Sequence, residues 1–408
     1  MSSCVRLLAR VFPAFEHRDY RMLWLGQVAQ ASAMWMEQLT RNWLTLEMTG
    51  SALQLGGVNF IRAVPAIFVG MWAGVLADRF SKRRLLLISQ SWSMLVYAIM
   101  AWVLFTGELK LWHLYVSTLA LSAGMSVSQP VRAAYTPALV PQQRVIGALS
   151  LNAMAMNGSR MIWPALAGVL IVVASPAWAY LIGAIFYALL QLSTLMIRNT
   201  DSPDEDRERR SMAADFREGL RYVWHAPLVR GLVASRLGPI TVASGFQVLI
   251  PVFAIHALGM GAGTYGALLS AEGAGAIIGG AIIASRKDIR HQGLLALAAG
   301  TALGVLIMAA GLVDVFVLSV PLFFVIGMSQ ITFQATNNGA IFAETPAHLR
   351  GRVIGVRNQT RGLVPVSHLA AGAMADFAGV SVAFPAIGGL TLLVLWAVQL
   401  WTPGLRKV

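Results

Sequence analysis

A series of apolar stretches, each long enough to cross a lipid bilayer, limits the possible fold of this chain more than any other feature. A spanning helix needs about 20 apolar residues. We count twelve stretches, at approximately 22–44, 52–77, 85–106, 111–135, 145–173, 176–197, 228–255, 264–284, 292–311, 313–342, 353–375 and 380–401. Together they need roughly three fifths of the chain, which agrees with a hydrophobic fraction of 57%. We predict an all-α membrane protein with twelve transmembrane helices, and we exclude a soluble enzyme and a disordered regulator.

The distribution of positive charge predicts the orientation of these spans. Of 31 Lys and Arg residues, 24 fall in the terminal segments, the even-numbered loops and the central linker when Arg230 and Arg357, near the ends of their spans, are counted with these segments. The odd-numbered loops contain only Lys110. Because basic loops stay in the cytoplasm, we expect both termini there, in the plasma membrane, which is the inner membrane of a bacterium. The surplus of basic residues is spread over many loops, so it does not indicate a nucleic-acid partner.

A polar segment divides the chain into two sets of six spans. We predict an N-terminal six-helix bundle at 1–197, a cytoplasmic linker at 198–227 and a C-terminal six-helix bundle at 228–408. In the linker, Ser211 can cap a short amphipathic helix whose Phe216, Leu220, Tyr222 and Trp224 meet the membrane interface. A solvated connector is the alternative interpretation.

The two halves repeat each other in sequence. Thr136-Pro137-Ala138, followed by Arg144-Val145-Ile146-Gly147, recurs as Thr345-Pro346-Ala347 followed by Arg352-Val353-Ile354-Gly355. A second alignment places Gly56, Gly70 and Asp78 on Gly266, Gly280 and Asp288. Parallel six-span repeats are typical of transporters with a central site between two pseudo-symmetric halves. The repeat is also the reason for counting the polar stretch 353–375 as a span.

The loop between the second and third spans reads Gly74-Val-Leu-Ala-Asp-Arg-Phe-Ser-Lys-Arg-Arg84. It resembles the signature loop of the major facilitator superfamily, although Ser81 stands where the usual pattern has a second glycine. The resemblance implies a cytoplasmic gating loop that holds the halves shut. Its residues here are Gly74, Asp78, Arg79, Lys82 and Arg83. In the alternative interpretation, the basic residues only set the orientation of the spans and have no part in gating.

Other motifs narrow the resemblance to one branch of the superfamily. Segments 15–21, 49–51, 129–132 and 215–220 look like the subgroup that contains the enterobactin exporter. Pro164-Ala165-Leu166-Ala167-Gly168 resembles an element of antiporters, and a helix kink explains it equally well. The resemblance implies proton-coupled efflux of a small siderophore-like or drug-like molecule by alternating access. The alternatives are an importer or symporter of the same fold, and a polytopic membrane enzyme or lipid-handling protein.

Two acidic residues, Glu37 and Glu272, lie well inside predicted spans. A carboxylate at that depth costs several kcal/mol unless it is paired or protonated, so each is a candidate for substrate or proton coupling. Glu37 and Arg41 share a helix face and can form a functional or a purely structural pair. Arg160 and Glu272 lie at similar depths in the fifth and eighth spans, which the resemblance implies are neighbours. We predict that they pair, a structural carboxylate shielded from lipid being the alternative for Glu272.

The remaining polar residues of the spans predict the character of the cavity. Six arginines against two carboxylates indicate a positive interior, which suits an anionic or hydrogen-bonding substrate. Arg132 and Arg236 lie near enough to the cytoplasm to snorkel out of the bilayer. The cavity candidates are Arg62, Asn152, Asn157, Gln247 and Arg361.

Several kinds of partner are not expected from this sequence. The histidines lack metal-site spacing, and no phosphate-binding loop occurs. The sequence also lacks a cluster of acidic residues, histidines and cysteines that would suggest a catalytic centre. We therefore expect that the protein binds no metal or cofactor and is not an enzyme. We expect a monomer whose partners are a small-molecule substrate, protons and membrane lipid.

Overall fold

The computed structural model of the protein describes residues 13–66, 68, 81–198, 212–286 and 291–407. These residues are mostly helical and contain no strand. The α-helices are α1 (Arg18–Thr49), α2 (Ala52–Ile61), α3 (Lys82–Phe105), α4 (Leu111–Tyr135), α5 (Val145–Val173), α6 (Pro176–Leu195), α7 (Met212–His225), α8 (Pro227–Ala234), α9 (Gly245–His256), α10 (Ala262–Ala284), α11 (Gln292–Ala310), α12 (Phe316–Glu344), α13 (Arg350–Gln359), α14 (Val364–Ala378) and α15 (Val380–Trp401). The predicted all-α membrane fold is confirmed.

The chain forms two compact units. The first contains residues 1–48 and 61–207, and the second contains residues 49–60 and 208–408. Within the first unit, α3 packs against α4 and α6, and α5 contacts α6. Within the second unit, α10 packs along α12, and α11 contacts both α12 and α15. The predicted division into two six-helix bundles and a linker stays a prediction.

Eight helical segments in the described part of the chain are long and apolar enough to cross a membrane. They are Lys82–Phe105, Gln142–Val173, Pro176–Leu195, Pro227–His256, Ala262–Ala284, Gln292–Ala310, Phe316–Glu344 and Val380–Trp401. Helix α1 is not among them, because polar residues such as Gln27, Gln30 and Glu37 dilute its apolar sequence; all three are buried in protein. A span that buries polar side chains against its neighbours need not be apolar all round.

In the second half of the chain, as far as the structure describes it, two predicted spans are interrupted rather than continuous. The stretch 228–255 contains α8, a π-helical turn at Leu237–Val242 and α9. Pro239 has no amide hydrogen and donates no bond in this turn. Ala243 N donates to Gly238 O at 2.9 Å, a five-residue step in place of the usual four. The stretch 353–375 is divided into α13 and α14 by a short turn at Thr360–Leu363, and Pro365 lies in the first turn of α14. Proline is tolerated at that position because no intrahelical donor is lost there.

Glycines let the backbones of α10 and α12 approach very closely. A Cβ placed on Gly275 would lie only 1.8 Å from the carbonyl oxygen of Phe324, and one on Gly327 would lie 1.9 Å from the oxygen of Glu272. Any larger residue would therefore force the helices apart, as in other small-residue interfaces of membrane helices. This contact fixes the backbone of Glu272 against α12.

Helix α2 belongs to the second unit because it packs on α14. The side chain of Asp376, near the end of α14, caps the start of α2 by accepting hydrogen bonds from three groups. The donors are Ser51 Oγ at 2.5 Å, the Ala52 amide at 2.6 Å and the Leu53 amide at 3.1 Å. A carboxylate is well suited to a helix N-terminus, where unsatisfied amides and the helix dipole favour negative charge.

We expect Asp376→Ala to loosen the first turn of α2. Loss of a capping acceptor costs about 1 kcal/mol, so the amides of residues 52–54 should exchange with deuterium roughly fivefold faster in the purified protein. Asp376→Asn should give a smaller change, since its carbonyl oxygen still accepts. The exposed Asp314 provides a control, and equal exchange in Asp376→Ala and Asp314→Ala would contradict this role.

The predicted linker helix is present as α7, whereas Ser211 lies outside the described residues. One face of α7 packs on α13, where Gly219 meets the backbone of Arg352 and Glu218 pairs with the Arg352 side chain at 2.5 Å. The other face exposes Phe216, Leu220 and Trp224, whereas Tyr222 is half-buried and donates to Glu344 O at 3.3 Å, because it packs towards the core of the second unit. This amphipathic arrangement fits a helix that lies at a membrane surface.

Candidate functional site

Helix α1 places a charged pair inside the first unit. Glu37 and Arg41 lie one helical turn apart, and their Oε1 and Nε atoms are 2.8 Å apart. Both side chains are buried, and Arg41 also donates to Thr118 Oγ1 of α4 at 3.5 Å. The predicted local pair therefore forms, and Thr118 of the neighbouring helix α4 also contacts its arginine.

Arg62 brings a second guanidinium to the same place. Its Nη1 donates to Gln38 Oε1 at 3.1 Å, and its charge is repelled by Arg41 and attracted by Glu37. A small cavity opens beside these charges. It is lined by Met34, Glu37, Arg41, Arg62, Tyr97, Thr118, Leu121, Ser122, Met125 and Tyr187. We call this set the first-unit charge cluster; it contains one carboxylate and two cations, so it can respond to a proton or to an anion.

Arg160 of α5 lies over an aromatic ring of α1. Its guanidinium carbon is 5.2 Å from the ring centre of Trp35, and the Trp35 indole donates to Met156 O at 3.2 Å. A cation over an indole face is held by the ring quadrupole. The ring thus fixes Arg160 in place, next to the helix that also carries the first-unit charge cluster.

In the second unit, Glu272 of α10 is completely buried. Gln247 of α9 donates to its Oε1 at 3.1 Å, so one of the predicted cavity residues contacts one of the predicted acids. Glu272 and Arg160 lie in different units, and their pairing stays a prediction. The contact with Gln247 had no signal in the sequence, because the two residues are on different helices.

The two asparagines predicted for the cavity make local contacts within the first unit. Asn152 donates to Thr136 Oγ1 at 3.2 Å and accepts a longer bond from the Tyr20 hydroxyl at 3.4 Å. Asn157 donates to the carbonyl of Ala153 on its own helix at 2.9 Å. These bonds use some of the hydrogen-bonding groups of each side-chain amide. That the two asparagines contact the substrate stays a prediction.

Of the predicted gating loop, Gly74, Asp78 and Arg79 lie outside the described residues. Ser81, which replaces the usual glycine, has φ −60° and caps α3 by accepting from the Arg84 amide. That conformation needs no glycine, and serine is a favoured capping residue.

The basic residues after Ser81 begin α3. Lys82 is its first residue, and Arg83 donates through Nη2 to Leu195 O at 2.6 Å, at the end of α6. A cation at a helix C-terminus is favoured by the helix dipole. Arg83 therefore has a structural contact within the first unit in addition to any part in gating.

Arg132 and Arg236, which the sequence places near enough to the cytoplasm to extend out of the bilayer, are buried in protein instead. Arg132 is 2% exposed and donates to Leu23 O at 3.0 Å, and Arg236 is 1% exposed. Arg236 contacts Asn337 and Asn338 of α12, and Asn338 also contacts Arg357. Neither asparagine was predicted as a site residue, although two adjacent polar amides inside an apolar span could have indicated one. Arg361, a predicted cavity residue, is exposed one turn beyond Arg357.

The described residues form a helical membrane protein with charged side chains buried on its helices. Comparison with solved structures identifies its fold. A POT family transporter in complex with 5-aminolevulinic acid gives a TM-score of 0.73 at 13% identity, covering 96% of this chain and 97% of that one. The nucleoside transporter NupG gives a TM-score of 0.65 at 14% identity, covering 94% of this chain and 98% of that one. The chain has the major facilitator fold.

The family is identified by sequence. The profile of the transmembrane secretion effector family, within the major facilitator superfamily, matches residues 9–406, and the chain belongs to that family. Its similarity to the staphyloferrin A transporter of Staphylococcus aureus is 26% identity, covering 88% of this chain and 90% of the relative. For the multidrug efflux pump Tap of Mycolicibacterium fortuitum these values are 27%, 90% and 91%. For the enterobactin exporter EntS of Citrobacter koseri they are 28%, 76% and 73%. The protein is a multi-pass membrane transporter and not an enzyme.

Proposed function

We propose that this protein exports a small siderophore-like or drug-like molecule from the cytoplasm in exchange for protons. The observation that carries the proposal is the pair of buried carboxylates in membrane helices, Glu37 beside Arg41 and Glu272 beside Gln247. Buried ionisable residues of this kind are typical of proton pathways in transporters. The direction is supported by relatives that are named an efflux pump and an exporter.

The proposed mechanism assigns a separate part to each group. Glu272 takes up a proton from outside, which breaks its predicted pairing with Arg160 and frees that arginine for the substrate. The first-unit charge cluster holds a second part of the substrate or senses the same proton. Proton and substrate must each bind one conformation better than the other, since a ligand with equal affinity for both shifts nothing. The cytoplasmic gating loop around Asp78 opens and closes in this cycle, with both termini in the cytoplasm.

The proposal can be tested with inverted membrane vesicles, in which export appears as uptake. Compounds that accumulate in cells lacking the protein, and that decrease in cells overproducing it, supply the labelled substrate. We expect the protein to drive uptake of that substrate at least about tenfold above vesicles without it, and an uncoupler to abolish the uptake.

Each other outcome contradicts a specific part of the proposal. Uptake that survives the uncoupler would contradict proton coupling. Accumulation in right-side-out vesicles would indicate an importer, and movement of lipid without gradient dependence would indicate a lipid-handling protein.

A further inference from the structure

The second unit contains a group of cations that are held together by neutral amides. Arg236 lies between α8 and the π-helical turn and donates through Nη1 to Asn337 Oδ1 at 3.2 Å and to Asn338 Oδ1 at 3.0 Å. Arg357 of α13 donates through its own Nη1 to the same Asn338 oxygen at 2.9 Å. The two Nη1 atoms are therefore at most about 6 Å apart, a distance at which like charges repel strongly in a protein interior.

The arrangement is fixed before any ligand binds. The Asn337 amide donates to Leu232 O at 3.0 Å and to Ser235 Oγ at 3.2 Å, and this orients its oxygen towards Arg236. Arg236 is 1% exposed, and in the described part of the chain its Nε has no hydrogen-bond partner. The same holds for the buried Nε of Arg357. Buried donors without an acceptor are rare and costly.

A third cation extends the group towards solvent. Arg361 follows Arg357 by one helical turn, is exposed, and repels both Arg236 and Arg357. The ion pairs found among the described residues involve other arginines, namely Arg18, Arg41 and Arg352. Within the described residues no carboxylate pairs with these three guanidiniums, and a partly buried set of cations needs a counter-anion to offset its desolvation and mutual repulsion.

We propose that Arg236, Arg357 and Arg361, with Asn338 between the first two, form a binding site for a carboxylate group of the transported substrate. Planar guanidinium groups match a carboxylate through paired N–H donors. Arg357 lies about 10 Å along the helix from Arg350, which the charge pattern places at the cytoplasmic surface. A substrate leaving the cytoplasm would therefore meet this site early. This inference rests on the proposed export function and adds to it that the substrate is anionic.

Citrate provides a simple tricarboxylate probe that requires no transport. The full-length protein in nanodiscs of neutral phosphatidylcholine should unfold at a higher temperature as citrate is added. We expect Arg357→Gln and Arg361→Gln each to weaken the apparent citrate Kd about tenfold or more, since each removes a charged donor. Arg286→Gln, which removes an equal charge from an exposed position, should bind citrate as the unchanged protein does.

Asn338→Asp separates a binding site from a structural cluster. The substitution keeps the size of the side chain and places a carboxylate between the two guanidiniums, so it should raise the unfolding temperature without citrate and abolish the citrate response. This readout remains available if an arginine variant fails to fold. Retention of the citrate response in Asn338→Asp would overturn the proposal.

A lipid phosphate could satisfy the same guanidiniums, and the composition of the nanodisc distinguishes it. If phosphatidylglycerol stabilises the protein, suppresses the citrate response and loses its effect in Arg357→Gln, the site holds lipid and the proposal is wrong. It is also wrong if citrate binds equally to all variants or does not bind at all. Because these measurements use no gradient, their failure leaves proton-driven export intact, whereas failure of the vesicle experiment leaves anion binding intact.

Discussion

Glu272→Gln should abolish proton-driven accumulation of substrate while leaving exchange across the membrane intact. Glutamine has nearly the same shape as glutamate and can still accept the hydrogen bond from Gln247, so the helices should pack as before. It cannot take up a proton, and the coupling of proton entry to substrate exit should be lost. In liposomes, accumulation driven by a pH gradient should fall to the level of protein-free liposomes, a change of at least about tenfold.

Substrate counterflow without a gradient is the second measurement on the same liposomes. It should continue in Glu272→Gln at a rate within about twofold of the original protein, because binding and conformational exchange do not require the proton in that assay. Glu344→Gln is a matched control, since Glu344 is exposed at the end of α12. Accumulation that persists in Glu272→Gln would show that another group carries the proton.

Glu37→Leu should strongly destabilise the first unit. The substitution removes the carboxylate 2.8 Å from Arg41 Nε, so the buried Arg41 and the half-buried Arg62, which repel each other, lose the anion that attracts both. Breaking a buried ion pair from one side typically costs about 3–5 kcal/mol. The free energy of unfolding in mixed micelles should fall by that amount, and the yield of folded protein should fall with it.

The double variant Glu37→Leu with Arg41→Leu shows whether the pair is structural or functional. Replacing both charges by apolar groups is often neutral for stability, so the double variant should recover most of the loss from Glu37→Leu. If it folds and still accumulates substrate, the pair is structural. If it folds and does not transport, the first-unit charge cluster acts in transport. No recovery of stability would contradict the assumed cost of removing the carboxylate from beside the cations.

The helical membrane fold could be predicted because its cause lies in local sequence. In lipid, a helix satisfies the hydrogen-bonding groups of its own backbone, so a sufficiently long apolar stretch predicts a helix. The predicted bounds 111–135, 145–173 and 380–401 agree with α4, α5 and α15. The interruption of the seventh and eleventh stretches was less evident. Hydropathy does not register Pro239 and Pro365 as breaks, although Pro239 removes a backbone donor inside the stretch and Pro365 marks the start of a new helix.

The candidate site was predictable only where its members lie on one helix. The spacing of Glu37 and Arg41 places them on one face, and the structure pairs them. The contact of Gln247 with Glu272 joins separate helices, so no periodicity could reveal it. The sequence suggested Arg236 at the membrane edge, whereas the packing of α12 buries it against two asparagines.

By itself, the order of amino acids determined that this protein is helical, spans a membrane and carries a few costly charges at depth. Those properties depend on hydrophobic length and on spacing within a single helix, and both are written along the chain. Tertiary structure alone decided which charges meet, that Asp376 caps α2 across more than 300 residues, and that Arg236 and Arg357 meet at Asn338. Such contacts depend on how helices distant in sequence pack, and that is settled by the shapes of many side chains together.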